Sequence, residues 1–119
     1  MTNQDYIDYL ANLKNRIFKI LPLCEENDPH ITEYIGSTLI ETKGLFDIIP
    51  SSKTSVWHIR VVAVLSAISN NYSTEQLHDP LIHKKVIRRE ILNSLNTIDR
   101  EIEYYQEIIE KEKTNNELL

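Results

Sequence analysis

Apolar residues recur near the start of the chain in steps of three and four: Tyr6, Leu10, Leu13, Ile17 and Ile20, widened by Ile7, Phe18 and Leu21. That period is the signature of an amphipathic helix. Thr2, followed three residues later by Asp5, reads as a capping box that starts it, and Pro22 is expected to end it. Leu23 to Asn27 reads as a connector. Asp28-Pro29 then announces a second helix, an N-cap followed by a proline at the first helical position. Its face is traced by Ile31, Tyr34, Ile35, Thr38, Leu39 and Thr42, with Gly44 as the expected left-handed terminator. Gly36 lies inside this helix, where a missing side chain permits close packing.

Leu45 to Ile49 is a short apolar run, expected as one helical turn laid over the bundle, and Ser51 to Ser55 is a polar linker. Val56 to Ile68 is apolar on nearly every side, which predicts the buried centre of a bundle. Its β-branched content also permits a strand; helix is preferred because the run is long and has no partner strands. Asn70-Asn71 stops it, and Tyr72 to His78 reads as another connector.

Asp79-Pro80 repeats the start signal, and no breaker follows until Asn115-Asn116. A helix of that length extends roughly 50 Å. The rival expectation is a break near Asn96-Thr97. Plotted as a regular α-helix, Ile82, Val86 and Ile87 point away from the later stripe by roughly 100°. Either the helix kinks, or its two halves meet different partners. The fold expected is all-α: a four- to five-helix bundle with a long C-terminal helix, in one domain spanning residues 1–119. Its core covers about 3–95, followed by a helical extension of about 96–114 and a tail of 115–119.

The C-terminal helix carries two candidate sites. Ile91, Leu95, Ile98, Ile102, Tyr105 and Ile109 form a seam with coiled-coil spacing, as a self-interface or a partner surface would. Lys84, Lys85, Arg88 and Arg89 form a compact basic patch suited to an acidic protein or a phosphate. The formal charge of −5 conceals a segregation: residues 1–50 are net −4, residues 51–98 net +3 and residues 99–119 net −4. Overall acidity argues against general nucleic-acid binding, and no aromatics interleave the basic patch.

Catalytic signatures are missing from the sequence. His30, His58, His78 and His83 form no metal-ligand spacing, and Cys24 is the one cysteine, so neither a metal nor a cofactor is expected. No arginine precedes a histidine at the spacing used by small helical ribonuclease-like domains. Two isolated glycines cannot build a phosphate loop. One cysteine, no signal-peptide pattern and no long apolar run predict a cytoplasmic protein with no membrane partner and no evident small-molecule substrate. The Ile-, Asn- and Lys-rich composition suits a bacterial source.

The stretch from Tyr6 to Leu23, YIDYLANLKNRIFKILPL, resembles the N-terminus of small uncharacterised helical proteins of Gram-positive bacteria, and Lys84 to Leu95 adds to the likeness. The resemblance implies an all-α protein and brings no activity, cofactor or site residue with it. The expected function is a non-enzymatic protein–protein interaction subunit, either a homodimer or a small helical component of a larger bacterial complex. The alternatives are a nucleic-acid-associated accessory or regulatory protein acting through the basic patch, and a small inhibitor or immunity protein covering a basic target.

Overall fold

A computed structural model of the chain describes residues 2–45 and 56–118. Those residues form an all-α bundle with no strand among them. Helix α1 (Asn3–Phe18) opens with the expected capping box: the Thr2 hydroxyl accepts from the Asp5 amide at 3.0 Å, and the Asp5 carboxylate accepts from the Thr2 amide at 3.1 Å. These two Thr2 contacts hold the Asp5 carboxyl below its usual range.

Pro22 does not end the helical path. After a turn at Lys19, α2 (Ile20–Glu25) starts, and Pro22 falls within its first turn, where a missing amide removes no intrahelical bond. Part of the expected connector is therefore helical. The real stop is Asn27, whose φ of 54° is the one positive value on a non-glycine residue among the described residues. The Asp28 amide bonds the Leu23 carbonyl at 3.1 Å and the Asn27 amide bonds that of Cys24 at 3.4 Å, the two bonds of a Schellman termination.

Helix α3 (Ile31–Gly44) starts two residues after Pro29; the Asp28 carboxylate accepts from the His30 amide at 2.8 Å and shapes the lead-in. Gly44 is the last helical residue and is not left-handed, so it does not act as the expected terminator. Gly36 does not serve close packing either, since a Cβ there would meet nothing within 4 Å. Thr38 and Thr42 are fully buried, each hydroxyl donating to the carbonyl four residues back at 2.8 Å. The expected turn at 45–49 and the linker at 51–55 lie, apart from the buried Leu45, outside the described residues.

Helix α4 (Val56–Asn71) packs on α3 and on the final helix. Between them runs α5 (Thr74–His78), a short helix where a connector was expected, closed at its start by a Ser73–Gln76 capping box. The final helical path begins with α6 (Pro80–Ile82), capped by the Asp79 carboxylate, which accepts from the Leu81 amide at 2.9 Å. A π-turn follows (His83–Ile87), and then α7 (Arg88–Leu118). The path passes Asn96 unbroken. Ser94 and Thr97 turn their hydroxyls back onto the carbonyls of Glu90 and Ser94, at 2.9 and 2.7 Å, instead of capping a new helix. Asn115-Asn116 also fails to break it.

The π-turn reconciles the two faces that a regular helix would separate. Its backbone pairs i with i+5, as when the Arg88 amide bonds the His83 carbonyl, so it holds one residue more than an α-turn. That extra residue offsets the 100° discrepancy. His83 and Ile87 thereby share the buried interior with Ile91, Leu95 and Ile98, and Val86 packs partly against it.

Helix α1 lies antiparallel along α7. Tyr6 meets Tyr105 edge-to-face, with ring centroids 5.0 Å apart, while the Lys14 ammonium lies 2.6 Å from the Asp99 carboxylate. A polar thread crosses this interface: Trp57 Nε1 donates to Tyr6 Oη at 2.9 Å, and the Tyr6 hydroxyl donates to Glu101 at 3.4 Å. The thread ties α4 to α1 and α1 to α7. Arg16 joins α1 to α3 through an ion pair with Glu41, and Tyr34 Oη donates to the Arg16 carbonyl at 2.7 Å. The core extends past residue 95, through Ile98 to Tyr105, so the bundle includes much of the expected extension.

Candidate functional site

The C-terminal seam divides in the folded chain. Ile91, Leu95, Ile98 and Tyr105 are buried, and Ile102 and Ile109 are partly buried against the same core. Their partner is intramolecular: the stripe of α1, Tyr6, Leu10, Leu13 and Ile17, is buried as well. Two complementary apolar stripes in one chain satisfy each other, so little of the seam is left for a second molecule. Tyr104, beside it, is exposed.

The basic patch lies at the surface. Lys84 and Lys85 come from the π-turn and Arg88 and Arg89 from the start of α7, all four exposed. Among the described residues the patch has one ion pair, from Arg89 Nε to Glu90 at 3.5 Å. Arg89 is exposed and Glu90 lies half-buried at the surface, so this contact contributes little to stability.

Helix α4 departs most from expectation. Its inner face buries Trp57, His58, Val61, Val64, Leu65 and Ile68, and His58 Nε2 lies 2.8 Å from the Thr42 carbonyl oxygen. Its outer face is in water: Val56 is 75% exposed and Ile59 57%, with Ala63 and Ala67 exposed in line with them. These four residues, with Val64, line a shallow groove of about 500 Å³ that also includes Arg60 and Glu90. Val56, Ile59, Ala63 and Ala67 follow the spacing of one helix face, so the groove is a continuous apolar strip, not scattered exposure.

A second feature was not foreseen. A partly enclosed cavity of about 310 Å³ is lined by Cys24, Glu25 and Asn27 at the end of α2, His78 at the end of α5, and Pro80 and His83. His83 is only 8% exposed, and neither ring nitrogen has a hydrogen-bond partner among the described residues. Glu25 Oε1 lies 3.2 Å from Nε2, near enough for an ion pair with a protonated ring, but the direction does not make a hydrogen bond. A buried polar group left in this way costs about 1–3 kcal/mol. His78 is differently placed, with Nε2 2.8 Å from the Asp28 carbonyl oxygen. Burial, and secondarily the Glu25 charge, push the Cys24 thiol up to about 11, so it stays protonated at neutral pH and is a poor nucleophile. Among the described residues no three His, Cys, Asp or Glu side chains are grouped to hold a metal ion. Sequence reading treats His83 as an isolated histidine, because the cavity is assembled from three separate segments and leaves no local spacing signal.

No described helix is long and apolar enough to cross a membrane. Comparison with protein-family models, with curated proteins and with solved structures finds no match to this chain.

Proposed function

We propose that this protein is a non-enzymatic interaction subunit that pairs with a second copy of itself through the outer face of α4. The observation that carries this reading is the apolar strip of Val56, Ile59, Ala63 and Ala67, which remains exposed after the chain has formed its core. Burying a side chain such as Ile59 is worth about 1.5–3 kcal/mol, a gain that the single chain forgoes. The two alanines favour close approach of another helix. The groove also includes one residue of each sign, Arg60 and Glu90, and Arg60 has no ion pair among the described residues. A two-fold axis through the strip would set Arg60 against Glu90 of the partner subunit and repeat the pair on the other side, the self-complementarity that an isologous interface needs. These charges favour a second copy over an unrelated apolar helix.

Light scattering after size-exclusion chromatography tests this reading. A single chain is 13.9 kDa. The wild-type protein is expected to elute at twice that mass, and Ile59→Asp at the mass of one chain with an unchanged far-UV circular dichroism spectrum. A wild-type protein that stays monomeric at high concentration, or an Ile59→Asp variant that stays dimeric, overturns the proposal.

A further inference from the structure

The cavity beside the π-turn has the chemistry of a binding site that the self-pairing function does not use. Its wall combines a carboxylate, Glu25, with a buried imidazole, His83, whose two nitrogens complete no hydrogen bond. The π-turn places that ring in the cavity, and such turns recur at functional sites because they re-aim a side chain. We propose that the cavity binds a small organic cation, a primary ammonium group on a short aliphatic chain.

Each wall residue narrows the choice of ligand. Neutral imidazole offers one acceptor nitrogen, and a carboxylate offers only acceptors, so together they call for a donor with positive charge. No lysine or arginine lines the cavity; Lys84 and Lys85, although adjacent in sequence, are exposed and outside it. An anion would therefore meet Glu25 without a counter-charge. Among the described residues a transition metal lacks a grouped ligand set, and the protonated Cys24 thiol offers no thiolate. Cys24 and Pro80 supply apolar surface for an aliphatic stem, and a volume of about 310 Å³ limits the ligand to a few carbons. Glu25 is largely exposed, so it serves as the entrance group, with His83 at the inner end.

The test is an NMR titration of the full chain at one fixed pH, following the His83 ring resonances. The probe is n-butylammonium, with tetramethylammonium, inorganic phosphate and zinc ions as comparison ligands. Saturable movement of the His83 signals is expected with n-butylammonium alone, and Glu25→Gln should weaken it by on the order of tenfold, the loss of a charge-assisted contact. Because Glu25 is a surface residue, that variant keeps the fold, which circular dichroism checks. Several outcomes overturn the proposal: unmoved His83 signals, an equal response to tetramethylammonium, tighter binding of phosphate or zinc, or undiminished binding by Glu25→Gln.

Discussion

Helices α1 and α4 are both 16 residues long and sit in the same bundle, but they handle apolar residues in opposite ways. In α1 the contrast between stripe and flank is sharp. Tyr6, Ile7, Leu10, Leu13 and Ile17 are buried against the rest of the chain, and most of the flank is polar. In α4 the apolar residues exceed what one core contact can cover. Six residues face inward, and Val56, Ile59, Ala63 and Ala67 remain outside. A matched stripe reports how a chain folds on itself, whereas a surplus marks where it can meet something else.

The two faces of α4 give the strongest way to break this comparison. Trp57→Ala, on the inner face, empties a fully buried site and removes the donor to Tyr6; it is expected to lose about 3–5 kcal/mol in urea denaturation. Ile59→Ala, on the outer face, is expected to stay within about 0.5 kcal/mol of the wild type when both are measured dilute enough to be monomeric. Equal losses would mean that the outer face is part of the fold. A smaller effect sharpens the boundary of the exposed region. Gly36→Ala on α3 places a methyl in open space within a helix, so a gain of about 0.5–1 kcal/mol is expected in the same experiment. A loss would show that the space beside Gly36 does not admit a methyl.

The smallest effect concerns the closed α1–α7 side. Burial raises the Glu101 carboxyl above its usual range, and the Tyr6 hydroxyl opposes this in part. The folded chain thus holds the Glu101 proton more tightly than the unfolded chain does. This contribution is fully present below the ordinary carboxylate range and is lost as pH rises through the raised folded value. Glu101→Gln keeps an acceptor for Tyr6 without the charge. Its melting temperature should exceed that of the wild type at neutral pH, and the gap should close towards acid. A gap independent of pH would show that the carboxylate's charge is not the cause.

Sequence periodicity reveals α1 because its polar and apolar residues alternate with the helical period, and the Thr2–Asp5 pair marks its start. The same reasoning identifies α4 as a helix but cannot choose its buried face, because Val56 and Ile59 are as apolar as Val61 and Leu65. The seam of α7 is legible as a stripe, but a stripe does not name its partner; only the fold shows α1 lying on it. Pro22 and Gly44 mislead because each is tolerated where it falls, one in a first turn and the other as a last helical residue. The Ser73–Gln76 capping box was present to be read, at the start of a helix too short to show a period. The cavity leaves no such trace, since Cys24, His78 and His83 meet only when three segments close.

The π-turn also makes the cavity sensitive to chain length. A chain lacking one residue between His83 and Ile87 could wind through this point as an ordinary α-helix. Ile87 and α7 could keep their seats in the core, while the turn before them, from Pro80 to His83, would rotate by about 100°, carrying the imidazole away from Glu25. No residue lining the cavity would have changed. A deletion that substitution scans never sample would therefore remove His83 from the site, whose identity depends on how many residues separate His83 from Ile87 as well as on which residues surround it.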